Sequence, residues 1–263
     1  MEKLFFFDID GTLIECSLGI YSILDETKES LDKLKEYNHG VFLATGRCKC
    51  FIVDGVMEYP FSGYVTCNGA CVEYNNEIVY KKNIDVEAIE KTVELCKEHG
   101  YNFYFEASDM IYVRDKQNQR HIEFCEEWGM KEEYTCDQFD PKDIEVHIGM
   151  IVVNKKEDID IMYEALSPYF NIQRHHYEFS FDLTIKGESK AKGIKKLSEV
   201  LGKTIDDTIA FGDARNDIEM LQEVGLGIAM GNGTIEAKEA SKYITDNIDE
   251  QGITKALHHF EFI

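Results

Sequence analysis

Residues 4–12 have the sequence Leu-Phe-Phe-Phe-Asp-Ile-Asp-Gly-Thr, and the fold prediction starts from them. The apolar run Leu4–Phe7 is typical of a strand buried on both faces of a parallel sheet, where polar and apolar residues need not alternate. The run ends in Asp8 and Asp10, and Gly11 then allows the backbone to turn and to approach a ligand closely. Open parallel sheets bind ligands at the carboxyl ends of their strands. The stretch therefore predicts an active site, although Asp-Gly is also an ordinary turn dipeptide.

Composition limits the possible classes of function. The chain has 263 residues and a formal net charge of −22, with 44% hydrophobic and 30% charged residues. These values indicate a soluble globular protein of about one or two domains. The negative charge argues against binding to nucleic acid or to an anionic membrane, but a metal ion could still admit an anionic small molecule. Without an apolar run of membrane-spanning length or a signal peptide, we expect a cytoplasmic protein.

The eight cysteines are expected to be reduced thiols. A disulfide framework is not expected in a chain of this length without a secretion leader. Four of the cysteines suggest a zinc site as an alternative, but their spacing departs from the familiar paired C-x2-C pattern. These four are Cys48, Cys50, Cys67 and Cys71.

The order of predicted elements indicates an α/β fold with an insertion. Strand-like runs at 41–44 and 64–67 alternate with helical patterns, one of which spans 51–59, as in a doubly wound, Rossmann-like parallel sheet. Between 84 and 185 the pattern changes to a helix over 86–99 and then to alternating strands, the last of them over 178–185. We therefore predict a core domain formed by 1–83 and 186–263, with an inserted α+β cap domain at 84–185.

Polar residues that follow several core strands contain the groups needed for phosphoryl transfer. A carboxylate can attack phosphorus, and a second carboxylate can carry the proton of the leaving group. A divalent cation with oxygen ligands, most simply Mg²⁺, offsets the charge of nucleophile and phosphate, while a hydroxyl and an ammonium group hold the phosphate oxygens. The candidates are Asp8, Asp10, Thr45, Lys190, Asp213, Asn216 and Asp217.

These residues occur in segments that resemble the ordered motifs of the haloacid dehalogenase superfamily. The segments are Asp-Ile-Asp-Gly-Thr at 8–12, Thr-Gly-Arg at 45–47, Lys190, and Gly-Asp-Ala-Arg-Asn-Asp at 212–217. The resemblance covers the whole chain and is strongest to the Cof-type phosphatases, which carry a large cap between the second and third motifs.

The resemblance implies a role for each matching residue. Asp8 would be the nucleophile and Asp10 the general acid and base, a residue that distinguishes the phosphatases from the dehalogenases. Phosphate would be held by Ile9, Thr45, Gly46, Lys190 and Asn216. Mg²⁺ would be held by Asp8, Asp10 through its backbone carbonyl, and Asp213, while Asp217 would support the metal's coordination shell or its waters.

Some of these assignments have alternatives. Lys192 could take the role of Lys190, because several lysines surround that position. Asp217 could instead cap the helix that starts at Ile218, and Thr45 could be a simple turn residue at a strand end.

The sequence says much less about the cap. Residues that could contact the leaving group are Arg47, Glu106, Tyr112 and His175. For each of them a role in the surface or in the domain core is a strong alternative, and Arg47 could be either an anion anchor or a partner in a salt bridge. His175 and His176 are adjacent on a predicted strand, so they would point to opposite faces.

Taken together, these features predict a Mg²⁺-dependent phosphatase. Its substrate would be a small phosphorylated metabolite such as a sugar phosphate, and hydrolysis would proceed through an aspartyl phosphate on Asp8. A phosphomutase or sugar-phosphate transferase, which would use the same intermediate, is one alternative. A regulator that binds phosphorylated metabolites without turnover is another. The sequence does not indicate the oligomeric state.

Overall fold

The computed structural model describes residues 1–128, 130–175 and 179–263, apart from the side chains of Glu127 and Trp128. Within this range the chain separates into two units. The first contains Met1–Gly46, Ile52–Tyr80 and Ser189–Ile263, and the second contains Arg47–Phe51 and Lys81–Glu188. The sequence-based boundaries differ from these units, because they start the insertion at 84, end it at 185 and leave 47–51 in the core.

The first unit is built on a largely parallel sheet. Its strands are β1 (Leu4–Phe7), β2 (Gly40–Ala44), β3 (Gly63–Thr66), β4 (Cys71–Tyr74), β5 (Glu77–Lys81), β12 (Thr208–Gly212), β13 (Leu226–Ala229) and β14 (Tyr243–Ile244). They lie in the order β14-β13-β12-β1-β2-β3-β4-β5, with β6 to β11 belonging to the second unit. Neighbours from β14 to β3 are parallel, and β4 is antiparallel to β3.

Apolar clusters cover both faces of this sheet. All four side chains of β1 are therefore fully buried. Phe5 and Phe7 belong to a cluster that includes residues of the helices at Asp25–Glu36 and Gly252–His259. Leu4 and Phe6 belong to one that includes residues of the helices at Lys190–Val200 and Ile218–Glu223. The helices of this unit are α1 (Asp25–Glu36), α2 (Asp54–Met57), α6 (Lys190–Val200), α7 (Ile218–Glu223), α8 (Ile235–Ala240) and α9 (Gly252–His259). The predicted doubly wound α/β core is confirmed.

The helix predicted over 51–59 is wrong in its extent. The structure has a short 3-10 turn at Lys49–Phe51 and the single-turn helix α2. A glycine in a helix interior is unfavourable, and Gly55 lies in α2. A Cβ at Gly55 would lie 2.5 Å from the carbonyl oxygen of Tyr21, so close packing requires the glycine there.

The second unit is an α+β domain, as predicted. Its strands are β6 (Asn102–Glu106), β7 (Ile111–Val113), β8 (Thr135–Cys136), β9 (Ile148–Val152), β10 (Phe170–Arg174) and β11 (Ser180–Ile185), in the sheet order β10-β11-β9-β6-β7-β8. Its helices are α3 (Val86–His99), α4 (Gln119–Trp128) and α5 (Asp158–Leu166). The bounds of α3 confirm the predicted helix over 86–99. The predicted first residue of the last strand, Glu178, lies outside the described residues.

The two faces of this second sheet differ in chemistry. Phe103, Phe105, Phe181 and Leu183 belong to an apolar cluster that also contains residues of α3 and α5. Because side chains alternate along a strand, Glu106 and Asp182 lie on the opposite face. None of the helices within the described residues is both long and apolar enough to cross a membrane.

Candidate active site

The candidate residues of the first unit follow the carboxyl ends of neighbouring strands. Asp8 follows β1, and its N–H donates to the carbonyl oxygen of Phe211 at 3.0 Å. Thr45 follows β2 and Asp213 follows β12. Since β12, β1 and β2 are parallel neighbours, their carboxyl ends share one edge of the sheet. Asp8, Thr45 and Asp213 are therefore placed along the same edge.

Lys190 joins two of the acids at this edge. Its ammonium nitrogen Nζ lies 2.7 Å from Oδ1 of Asp8 and 2.7 Å from Oδ1 of Asp217. The Lys190 side chain is 0% exposed, so both ion pairs are shielded from water. Lys192 is less buried, and its backbone N–H donates to the capping hydroxyl of Ser189. Lys190 is thus the lysine that contacts Asp8.

Close packing of two glycines brings Lys190 to this position. A Cβ at Gly193 of α6 would lie 2.8 Å from Cα of Gly69, and a Cβ at Gly69 would lie 1.9 Å from the carbonyl oxygen of Ser189. Gly69 also has φ +91°, which a residue with a Cβ rarely adopts. The first turn of α6 therefore packs directly on the loop after β3. Ser189 caps the helix, and Lys190 is its first residue.

The turn after β1 is shaped around Asp213. Gly11 has φ +79°, and a Cβ there would lie 2.2 Å from Oδ2 of Asp213. The hydroxyl of Thr12 donates to Oδ1 of Asp213 at 3.1 Å. The side-chain amide of Asn232 donates to the carbonyl oxygen of Gly11 at 2.7 Å. Gly11 is therefore required both for the turn and for the close approach of the Asp213 carboxylate.

Asp217 holds the loop that carries Asp213. It is fully buried, and its Oδ2 accepts the backbone N–H groups of Asp213 at 2.9 Å and of Ala214 at 3.0 Å. Its side chain makes no capping hydrogen bond to α7, so the alternative that it merely caps this helix is wrong. The carboxylate bridges Lys190 and the Asp213 loop instead.

Within the described residues, Asp8, Asp213 and Asp217 form a group that could hold a metal ion. Each offers one carboxylate oxygen, and these oxygens lie within 4.8 Å of one another. A donor set made only of oxygen suits a hard cation such as Mg²⁺. The Asp10 side chain is not part of this group, and a contribution from its backbone carbonyl stays a prediction.

Electrostatics also favour a cation here. Burial, followed by the charge of Asp217, raises the pKa of Asp8 to about 7 against the opposing effect of Lys190. Burial, followed by the charges of Asp217 and Asp8, raises the pKa of Asp213 well above its usual value. Burial alone lowers the pKa of Lys190, but Asp217 and Asp8 outweigh it and raise the pKa overall. A divalent cation would offset the excess negative charge.

Asp10 and Ile9 occupy different environments from Asp8. Asp10 is exposed, and its charge is among the causes that raise the pKa of Asp8. Ile9 is buried in the apolar core, and its carbonyl oxygen accepts N–H groups from Leu13 at 2.9 Å and Ile14 at 3.0 Å. A contact between Ile9 and phosphate would therefore come from its backbone N–H.

Asn68 is a residue of this region that the sequence analysis missed. It is buried, and its Oδ1 accepts a hydrogen bond of 3.4 Å from the side-chain amide of Asn216. A Cβ at Gly46 would lie 3.3 Å from Asn68 Oδ1 and 3.5 Å from Asn216 Nδ2, so the three residues are in contact. The available signal was an Asn-Gly pair directly after a predicted strand, at a position that the structure shows with φ 50°.

Among the candidates of the second unit, the charges of Arg47 and of Asp182, the partner of His175, act on Glu106, whereas Tyr112 lies on the other sheet face. Glu106 is buried and accepts the N–H of Cys48, while His175 contacts Ser180 and Asp182. Tyr112 packs on Phe139 with the apolar cluster of the other sheet face.

Arg47 donates to the carbonyl oxygen of Phe51 at 3.0 Å and lies over the Phe51 ring. Its role as an anion anchor or as a salt-bridge partner stays a prediction. His176 lies outside the described residues.

Comparisons with known proteins match one family across the chain. The sequence model of the haloacid dehalogenase-like hydrolases matches residues 5–257. YkrA of Bacillus subtilis, which carries the name of a phosphatase, is 33% identical over 97% of this chain and 96% of its own length. YcsE of Bacillus subtilis, named a 5-amino-6-(5-phospho-D-ribitylamino)uracil phosphatase, is 28% identical over 98% of this chain and 95% of its own length.

A solved structure agrees with the match in fold as well as in sequence. The structure of the sugar phosphatase BT4131, described as a member of subclass IIB of the superfamily, superposes with a TM-score of 0.86 and 31% identity. The match covers 99% of this chain and 100% of the other chain. Both units of the present structure are therefore included in the similarity.

Proposed function

This chain belongs to the haloacid dehalogenase-like hydrolase family and is a phosphatase of that superfamily, and from this premise we propose a Mg²⁺-dependent hydrolysis in which Asp8 is the nucleophile. The observation that carries the proposal is the buried Asp8–Lys190–Asp217 network beside Asp213. A buried lysine that contacts two carboxylates fixes the orientation of Asp8 and limits its protonation. Such a nucleophile is held ready for an incoming phosphate ester.

The proposed reaction has two steps. First, a carboxylate oxygen of Asp8 forms a bond to phosphorus while the ester P–O bond breaks, and Asp10 gives its proton to the leaving oxygen. Then Asp10 takes a proton from a water molecule that attacks phosphorus, which releases phosphate and restores the Asp8 carboxylate. The exposure of Asp10 suits this exchange of protons with substrate and water. Bound Mg²⁺ would offset the charge of the carboxylates and the phosphate.

The remaining residues of the site would hold the phosphate oxygens. We assign this role to the hydroxyl of Thr45, the backbone of Gly46 and the Lys190 ammonium group, together with the amides of Asn216 and Asn68. The contact between Gly46, Asn68 and Asn216 supports treating them as one group. Donors fixed in advance stabilise charge that develops on phosphate without reorganisation during the reaction.

We propose a phosphorylated sugar or polyol as the class of substrate. BT4131 is named a sugar phosphatase, and the name of YcsE specifies a substrate with a phosphorylated ribityl chain. Both names describe a phosphate ester on a chain or ring that carries several hydroxyl groups.

A panel of sugar and polyol phosphates, assayed for released phosphate with Mg²⁺ and again with EDTA, tests the proposal. We expect turnover with Mg²⁺, its loss in EDTA and its recovery when Mg²⁺ is restored. An isomeric phosphate ester as the product would instead identify a mutase. Binding of the esters without turnover would identify a regulator, and either result would overturn the proposal.

A further inference from the structure

Two cysteines of the second unit lie in contact within a short, well-held segment. The sulfur atoms of Cys48 and Cys50 are 3.5 Å apart. The N–H of Cys50 donates to the carbonyl oxygen of Ser108 at 3.2 Å, and the N–H of Phe51 donates to that of Cys48 at 3.0 Å. These hydrogen bonds hold the backbone on either side of the pair. The contact between the sulfurs therefore belongs to a defined turn.

The two thiols differ in access to solvent. Cys48 is 0% exposed, whereas Cys50 is partly exposed. A reagent in solution can therefore reach Cys50 but not Cys48. Such a pair has one thiol placed to react first and a second placed to respond to the product.

A buried carboxylate lies against the inner thiol. Glu106 is 6% exposed, and its Oε2 accepts the backbone N–H of Cys48 at 3.2 Å. The pKa of Glu106 is raised to about 7, mainly by burial and also by the charge of Asp182. Hydrogen bonds from the Cys48 side chain and backbone N–H, and the charge of Arg47, oppose this shift. The Glu106 carboxylate is therefore a nearby acceptor for the proton that Cys48 must release to form a bond.

We propose that Cys48 and Cys50 form a redox-sensitive dithiol, which hydroperoxides convert into a reversible disulfide within the segment. This is a modification site separate from the phosphatase chemistry. The proposal depends on the contact of the sulfurs, their unequal exposure and the adjacent carboxylate.

The proposed oxidation balances with hydrogen peroxide as the oxidant. The Cys50 thiolate attacks one peroxide oxygen, the O–O bond breaks, and Cys50 becomes a sulfenic acid while the departing hydroxide takes a proton to form water. The Cys48 sulfur then attacks the Cys50 sulfur and transfers its proton by way of Glu106 to the departing hydroxide, which leaves as a second water. The two thiols lose two electrons in total, and these reduce the peroxide.

The step requires only a small local movement. A disulfide has an S–S bond of about 2.0 Å, so the sulfurs must approach by about 1.5 Å. Rotation of the side chains and tightening of the turn can supply this distance. A disulfide here would also remove the Cys48 S–H that donates to Glu106. Thiol reductants such as dithiothreitol would restore both thiols by exchange.

Peroxide treatment of the full chain, followed by mass spectrometry, tests the proposal. We expect a mass decrease of two hydrogen atoms, a disulfide between Cys48 and Cys50 in the peptide map, and full reversal by dithiothreitol. Cys50→Ser should abolish the mass decrease, whereas Cys16→Ser, which removes an exposed thiol of the first unit, should leave it unchanged. A link between other cysteines, or gain of oxygen without a link, would overturn the proposal.

A second variant tests the carboxylate without removing either thiol. Glu106→Gln keeps an acceptor for the Cys48 N–H but removes the base, so we expect disulfide formation to slow by at least about tenfold. The rate of sulfenic acid formation at Cys50, measured with a sulfenic-acid probe in a Cys48→Ala background, should stay the same in the presence and absence of Glu106→Gln. An unchanged rate of disulfide formation would contradict the role of Glu106.

Discussion

The two units of the molecule organise their polar residues in opposite ways. In the first unit, Asp8, Lys190 and Asp217 are buried and joined by hydrogen bonds of 2.7 Å at one sheet edge. In the second unit, Glu106 and Tyr112 lie on opposite faces of one sheet. A fixed charge network carries chemistry that can be inferred from geometry. The polar candidates of the second unit divide between two sheet faces, so each requires its own test.

The largest effect should come from Asp8→Asn. The amide keeps an oxygen for the Lys190 hydrogen bond but cannot attack phosphorus, so we expect kcat to fall by about 10⁴-fold or more. Phosphate release and the unfolding midpoint should be measured together. Asp25→Asn is a matched control, because the Asp25 side chain is 92% exposed. Near-normal turnover in Asp8→Asn would contradict the proposed mechanism.

Asp10→Asn should have the next largest effect on catalysis. We expect a fall of about 10² to 10⁴-fold in kcat for alkyl phosphates, because general acid catalysis typically contributes that much. Esters with good leaving groups, such as p-nitrophenyl phosphate, need less protonation and should lose less in the first step. An equal loss for both kinds of ester in single-turnover measurements would argue against Asp10 as the acid.

Lys190→Met tests the buried Asp8–Lys190–Asp217 network through the stability of the protein. It leaves two buried carboxylates, Asp8 and Asp217, without their counter-charge, and breaking a buried pair in this way costs about 3 to 5 kcal/mol. We expect a matching loss in the free energy of unfolding measured with urea.

Lys192→Met is the matched control for Lys190→Met, since Lys192 is less buried and Lys190 is the lysine that contacts Asp8. We expect its effect to stay below about 1 kcal/mol. Equal effects of the two substitutions would support the alternative that Lys192 takes the role of Lys190.

The contrast between the units also explains what the sequence could predict. Strand β1 was predictable because its four side chains are buried in apolar clusters on both faces of the sheet, which requires an unbroken apolar run in the sequence. The acids that follow it were predictable because strand ends converge at one edge. The helix over 51–59 was mispredicted because the contact of Gly55 with Tyr21 is tertiary, and no local pattern reveals it.

The role of Asn68 needed the fold for the same reason. Its contact with Asn216 joins residues 148 positions apart. In the second unit, the sequence shows only that Tyr112 and Glu106 both carry polar groups. Only strand register places Tyr112 with Phe139 and Glu106 on the other face.

Metal removal should expose the excess charge of the first unit as a pH dependence. The pKa of Asp8 is about 7 in the folded state, against 3.8 for an unperturbed carboxyl as in the unfolded chain. Between these two pH values the folded state binds more protons than the unfolded state, so the free energy of unfolding falls as pH rises. Without metal, we expect the free energy of unfolding to drop by about 1 kcal/mol between pH 6 and 8 from Asp8 alone. Urea titrations in EDTA measure this drop.

Mg²⁺ should reduce this pH dependence, because a bound cation favours the ionised carboxylates. Asp8→Asn should reduce it even in EDTA, since the amide does not titrate. A pH dependence that Asp8→Asn leaves unchanged would assign the effect to other groups.

The smallest effect should come from Tyr112→Phe in the second unit. The Tyr112 ring packs on Phe139 with centroids 5.2 Å apart, next to the apolar cluster, so the phenyl ring of the variant preserves this contact. Loss of a hydroxyl that donated a hydrogen bond to the substrate would cost more, up to about tenfold in kcat/KM. We therefore expect kcat/KM for sugar phosphates to change by less than about twofold, while Tyr112→Ala lowers the unfolding midpoint through lost packing. A large fall in kcat/KM for Tyr112→Phe at unchanged stability would show that the apolar face of the second unit also takes part in recognition.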